Sequence, residues 1–516
     1  MNRREILLAA AATAVSSLWS SRANDARADA AAPLPEDFSA LSLADASRAI
    51  RRRDVSSREL TLACLKRIEE HNPRINALIT VRREEALAQA SLLDAEAAQA
   101  KFRSPLHGIP VVLKDAIDTA GSRTTAASAQ FEQRVPSEDA EIVRRLHQAG
   151  AVILAKANLA EFSLSPSGAS SHFGPVRNPW DLTRVTGGSS SGSAAATATH
   201  MCFGALGTDS GGSVRIPAAW CGLVGLKPTQ GLVSTTGIIP SVASLDSCGP
   251  MARRVEDVAV LFGEMVGYDA LDIRSVERPS EDYARSAREP VSQLRVAVPR
   301  RPFFDGLDAQ IAKSVEEALS VLAKLTRGTR EVDFTNFVQP NDAFINAAEV
   351  IDYHRTMLER HPDKYTPTTR RILEWCSHYV EDKAQGSASA KLARYIEARA
   401  ALERRRRTID AAFVDFDILA MPTMKSPPPP IERALQAERG SDDALFSIEN
   451  TMIFNVLGLP ALTVPCGFSA EGLPIGLMMC GPRFSEGKLL ALAAAYEQST
   501  QWHERVPVLN QKRKEA

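Results

Sequence analysis

Two glycine- and serine-rich turns carry the hydroxyls of this chain best placed to act as nucleophiles. The first is Gly187-Gly188-Ser189-Ser190-Ser191-Gly192-Ser193; the second is Gly207-Thr208-Asp209-Ser210-Gly211-Gly212-Ser213-Val214-Arg215-Ile216-Pro217. The small residues Ala194 to Thr199 follow the first turn and read as a helix. Glycine allows positive φ and close backbone approach, and a serine hydroxyl attacks a carbonyl once a base takes its proton. A phosphate-cradling loop would need a lysine after its glycine, which neither turn has. Gly188-Ser189-Ser190-Ser191-Gly192 meets the G-x-S-x-G spacing of a nucleophile elbow. An elbow, however, follows an apolar strand, and Asn178-Pro179-Trp180-Asp181-Leu182-Thr183-Arg184 is turn-rich. Ser485-Glu486-Gly487-Lys488 fits S-x-x-K but lacks the accompanying S-D-N and K-T-G, so it reads as a helix entry. Lys114 and Lys156 each follow an apolar run; from the residues alone, either is a strand-end lysine, and Lys114 could pair with Asp115. Cys202 and Cys221 lie in Ala/Gly contexts without an adjacent histidine and read as packed thiols.

The second turn continues into Gly225-Leu226-Lys227-Pro228-Thr229, and with the first turn and its helix this whole stretch resembles the amidase signature family. Gly108-Ile109-Pro110-Val111-Val112-Leu113-Lys114-Asp115, Thr124-Thr125 and Asn178-Pro179-Trp180 extend the resemblance upstream. Ser244-Leu245-Asp246-Ser247-Cys248-Gly249-Pro250 and Asn455-Val456-Leu457-Gly458-Leu459-Pro460-Ala461 extend it downstream. It covers most of residues 40–265 and 415–500. One departure is Ser191, where the family commonly has glycine, so a negative φ is expected there. The resemblance implies a Ser-cisSer-Lys triad: Ser213 as nucleophile, Ser189 as bridging serine behind a cis peptide, and Lys114 as base. It also implies backbone N–H groups of Ser210, Gly211 and Gly212 as the oxyanion hole, with Ser190, Asp209 and Arg215 as support. For Lys114 to serve as a base near neutrality, burial must lower its pKa from about 10.4 to roughly 7–8. The implied reaction is hydrolysis of a small carboxylic amide, or an anilide, carbamate or ester, through an acyl-enzyme that needs no cofactor and no metal. Two alternatives stand beside it: the glutaminase subunit of a tRNA-dependent amidotransferase, and a non-catalytic binding protein on the same fold.

Strands must deliver these groups. Ile109–Leu113, Ala151–Ala155 and Ala461–Pro465 are short apolar runs bounded by Gly or Pro, the pattern of buried strands. Helical spacing recurs from Ser42 to Glu70 and again in Asp139–Ala149, Ala309–Leu325 and Ala390–Phe413. Strands alternating with helices predict an α/β fold: a large mixed, mostly parallel sheet covered by helices on both faces, the fold the resemblance also implies. Residues 31–516 are expected to form one domain, with a helical insertion at about 284–415. Phe162, residues 165–172 and Phe454 are expected to shape specificity. Pro427–Pro430 reads as an extended connector, residues 431–445 as a loop, and Arg404–Arg407 as a solvated helix surface.

With 61 basic and 62 acidic residues among 516, the chain lacks the basic excess that non-specific nucleic-acid binding requires. The expected partner is a small-molecule amide, with no nucleic acid, and the oligomeric state is left open to a homodimer. Arg3-Arg4, the apolar run Ile6–Val15 and an A-x-A exit near Ala28 read as a twin-arginine signal peptide over residues 1–30. That reading predicts a periplasmic or secreted protein with no stable membrane insertion after cleavage. The seven cysteines form no C-x-x-C pair and are expected to be free thiols.

Overall fold

The computed structural model describes residues 34–279, 281–337, 343–383, 387–441 and 447–509; the segment read as an export signal lies outside them. Residues from Ser39 onward form one unit. Its frame is an eleven-stranded mixed sheet. The strands are β1 (Leu78–Val81), β2 (Pro110–Lys114), β3 (Val152–Ala157), β6 (Gly204–Asp209), β7 (Val224–Lys227), β8 (Ser247–Ala252), β9 (Val296–Pro299), β10 (Thr329–Val332), β11 (Ile418–Pro422), β12 (Ala461–Phe468) and β13 (Pro474–Cys480). A separate ribbon pairs β4 (Arg177–Asn178) with β5 (Asp181–Val185). The sheet order is β1-β3-β2-β6-β8-β7-β12-β13-β11-β9-β10. The parallel run β3-β2-β6 lies toward one edge and β11-β9-β10 at the other. Every residue of β2, β3, β6, β7 and β11 is buried, which explains why these strands are mostly small or apolar instead of alternating, with the charged Lys114, Lys156, Asp209 and Lys227 at or near their C-terminal ends.

The α/β class and the three apolar runs appear as strands β2, β3 and β12. Elsewhere local chemistry redraws the boundaries. The helical start breaks into Leu43–Arg52 and Ser57–Ile75. Arg53 closes the first in the left-handed region, and Ser56 opens the second with a capping box to Glu59. Within 284–415 the long helices Ala309–Leu325, Ala343–Arg360, Pro367–Lys383 and Ala388–Thr408 accompany β9 and β10, so this segment also extends the sheet. A short helix, Ile431–Gln436, forms where a loop is expected. Of the four consecutive arginines, Arg406 turns inward: its guanidinium donates to the carbonyls of Val456 at 2.9 Å and Ser244 at 2.9 Å. Four successive helical residues point around the cylinder, so one of them meets the core.

The helix Ser191–Ala198 is buried along its whole length, and its small side chains are what allow that. A Cβ on Gly192 would lie 2.1 Å from the Ala77 carbonyl oxygen and 2.6 Å from the backbone of Asn158. Ser191 opens this helix without a positive φ. All seven cysteines are free and buried.

Candidate active site

Two strand ends and two turns converge at the C-terminal ends of the parallel strands β2 and β6. Lys114 is the last residue of β2 and is fully buried. Its Nζ lies 2.7 Å from Ser189 Oγ and 2.7 Å from Thr208 Oγ1. Burial lowers the Lys114 pKa to about 7, against the attraction of Asp246 and Asp209. Lys156, one strand away in β3, is equally buried, and burial lowers it to about 8. Its amine points elsewhere, donating to the Ile117 carbonyl at 2.5 Å and to Thr124 Oγ1 at 2.7 Å, with Asp115 at 3.6 Å. A third buried lysine, Lys227, donates to the Pro228 carbonyl at 2.8 Å.

The first turn presents Ser189 across a cis Gly188–Ser189 peptide bond. Gly188 has no room for a side chain, because a Cβ would meet the Gly168 backbone nitrogen at 2.6 Å. Residues 165–168 thus pack directly behind the turn. Ser190 ties the two turns together: its hydroxyl donates to the Thr208 carbonyl at 3.1 Å, and its N–H donates to the Ser213 carbonyl at 3.2 Å. Ser213 is itself partly exposed, whereas Ser189 and Ser190 are buried. The structure thus brings Lys114, Ser189, Ser190 and the Ser213 turn together, and the hydrogen-bonded leg it shows runs from Lys114 to Ser189.

The second turn is wrapped around a buried ion pair. The Asp209 carboxylate accepts from the N–H of Gly212 at 2.8 Å and of Val214 at 3.1 Å, and from Arg215 Nε at 3.0 Å. Burial opposes ionisation of Asp209, but the Arg215 guanidinium overcomes it and holds the acid well below the usual carboxylate range. Arg215 continues to the Thr451 carbonyl at 2.9 Å and Asn455 Oδ1 at 2.7 Å, while Asn455 Nδ2 returns to Asp209 at 2.9 Å. Thr451 Oγ1 donates to the Gly211 carbonyl at 2.6 Å. Of the three N–H groups expected to form the oxyanion hole, that of Gly212 is engaged by Asp209. Arg215→Met is expected to destabilise the fold by about 3–5 kcal/mol, since it strands a buried carboxylate; urea unfolding checks this.

Thr208, Asp246, Thr451 and Asn455 were not singled out by sequence reasoning. Asp246 and Asn455 lay within stretches that carried the resemblance, but nothing local shows that they reach the second turn. Phe162 is buried against Phe131, His354 and Tyr365, and Phe454 is buried and stacks on Phe303, so both belong to the core.

The Amidase family model matches residues 59–490. A glutamyl-tRNA(Gln) amidotransferase chain of Halorhodospira halophila is 41% identical over 484 residues, spanning 90% of this chain and 98% of that protein. Among solved structures, the native peptide amidase of Stenotrophomonas maltophilia superposes with a TM-score of 0.78 at 32% identity, covering 93% of this chain and 100% of that one. The 6-aminohexanoate cyclic dimer hydrolase complexed with substrate gives 0.80 at 28% identity, covering 91% and 99%. The amidotransferase relatives correct the expected periplasmic or secreted location. Their names place their chemistry on glutamyl-tRNA(Gln), and aminoacyl-tRNA is made and used inside cells.

Proposed function

The chain belongs to the amidase family, the amidase signature enzymes, and on that premise we propose that it hydrolyses a carboxylic amide through an acyl-enzyme on Ser213. The observation that carries this reading is the buried Lys114 amine 2.7 Å from Ser189 Oγ, beside the turn that bears Ser213. Neutral Lys114 accepts the Ser189 proton, Ser189 accepts the proton of Ser213, and Ser213 Oγ attacks the amide carbon. The N–H groups of Ser210 and Gly211 stabilise the oxyanion. The relay then returns its proton to the departing nitrogen, so ammonia or an amine leaves. Water, deprotonated along the same path, releases the carboxylate and restores Ser213. Asp209, Arg215, Asn455 and Ser190 hold the two turns in register. No step requires a metal or a cofactor.

Two substrate readings share this mechanism. The near-full-length amidotransferase relatives favour the side-chain amide of glutamine, with the ammonia passed to a partner protein. The solved neighbours named for peptide amides and a cyclic amide favour a self-sufficient amidase on small amides. The deciding measurement is ammonia or amine release by the purified chain from L-glutamine, aliphatic amides, anilides, peptide amides and carbamates. Turnover confined to glutamine supports the amidotransferase reading, and turnover of small amides without glutamine supports the amidase. A chain that turns over none of them and is not labelled by a fluorophosphonate is instead a binding protein.

A further inference from the structure

Asp246 is a buried carboxylate with no part in the reaction as written above. It lies one residue before β8, which pairs antiparallel with β6 so that Ser247 faces Asp209 and Cys248 faces Thr208. This register sets Asp246 beside the start of the second turn. Its carboxylate accepts the Ser210 hydroxyl, the N–H of Ser241 at 3.0 Å and the N–H of Val242 at 3.1 Å. All three donors are neutral.

The contrast with Asp209 is informative. Asp209 is neutralised by a two-point contact with Arg215 and is also under the influence of Lys227. Arg274 acts on Asp246 through charge, while its own guanidinium pairs with Asp272. The groups acting on the Lys114 amine are Asp246 first, then Asp209 and the thiol of Cys248. Burial keeps that thiol protonated, pushing it up to about 12. Asp246 therefore lacks the two-point guanidinium contact that Asp209 has, and the same side chain grips Ser210, which carries a proposed oxyanion donor. Burial raises the Asp246 pKa, and its three hydrogen-bond donors work in the opposite direction.

We propose that Asp246 is a positioning residue: held by the N–H groups of Ser241 and Val242, it anchors the Ser210–Gly211 turn through the Ser210 hydroxyl and so fixes the oxyanion donors beside the base. This inference rests on the roles proposed for Lys114 and Ser213.

The probe is a fluorophosphonate, which reports on the nucleophile without knowledge of the substrate. Ser213 Oγ bonds to phosphorus, the P–F bond breaks, fluoride leaves and the serine proton passes to Lys114. The second-order labelling rate is measured against pH for the wild type, Asp246→Asn, Asp246→Glu and Ser210→Ala, with folding followed by circular dichroism. In Asp246→Asn the midpoint of the rise should move down, the direction opposite to that in which Asp246 acts on the Lys114 amine. Its plateau should fall about tenfold through loss of a charged hydrogen bond. Ser210→Ala should lose a similar factor at the plateau and keep the wild-type midpoint. A wild-type plateau in folded Asp246→Asn overturns the proposal. If Asp246→Asn does not fold, the other two variants decide. A wild-type midpoint in Asp246→Glu with a lowered plateau in Ser210→Ala upholds the proposal; a wild-type plateau in Ser210→Ala overturns it. Labelling that survives Ser213→Ala identifies a failure of the underlying reading of Ser213, separate from Asp246.

Discussion

Ser213→Ala is expected to lower amide hydrolysis on the order of 10⁴-fold or more and to abolish fluorophosphonate labelling, while the protein keeps its fold. The size follows from the proposed chemistry. Without the hydroxyl no acyl-enzyme forms, and what remains is binding plus the oxyanion donors of Ser210 and Gly211, which act only on a nucleophile delivered from water. The fold should survive because the contacts that hold this turn do not use the Ser213 side chain. Its carbonyl accepts from Ser190, and Asp209 gathers the N–H groups of Gly212 and Val214. Steady-state kinetics and intact-protein mass spectrometry after labelling check both parts. Activity within tenfold of wild type would remove Ser213 from the mechanism.

Lys114→Met is the companion experiment, and two opposite effects are expected from one substitution. Activity should fall by roughly 10³-fold or more, because a serine without its base is a poor nucleophile. The wild-type rate should rise with pH through about 7 and then level off, since only the unprotonated amine accepts a proton. That rise should be missing in the variant. Stability should move the other way. Lys114 has a folded-state pKa of about 7 against an ordinary value of 10.5. Between these values the unfolded chain binds a proton that the folded protein releases, so stability increases with pH across this window. The full cost of burying the amine, on the order of a few kcal/mol, is present below pH 7 and disappears above about pH 10.5. Methionine carries no such cost. Urea unfolding should therefore show Lys114→Met gaining on the wild type at pH 6 by more than at pH 10, less whatever is lost with the contacts to Ser189 and Thr208. A flat pH–rate profile in the wild type, or a difference between the two proteins that does not change with pH, would show that Lys114 is not the titrating base.

The buried lysines show how far local reading could go. Lys114 and Lys156 each follow an apolar run, and burial lowers both pKa values; in chemical terms either could serve as a base. The resemblance selected Lys114, and the structure gives that choice a geometric content. The two residues lie on neighbouring parallel strands but one step apart in register, Leu113 facing Lys156 and Lys114 facing Ala157. Side chains alternate across a sheet, so that single step helps send one amine to Ser189 and Thr208 and the other to Asp115, Ile117 and Thr124. The Gly212 N–H is a similar case. Its glycine was legible as a backbone requirement, and φ is +131° with Thr451 where a Cβ would go. Its engagement by Asp209 could be seen only in three dimensions.

Features set by short-range sterics and burial could be read from the chain alone: glycines where the backbone turns or approaches closely, small residues in a fully buried helix, and apolar runs where a strand is covered on both faces. The motif stretches around residues 114, 189 and 213 also carried the family resemblance. Tertiary structure alone determined which distant groups share the buried space. Lys114 meets Ser189 and Thr208, 75 and 94 positions away, and Asn455 closes on Asp209 from 246 positions away. Desolvation and charge depend on everything within a few ångströms, whereas pattern along a chain reports only neighbours that the backbone itself brings close.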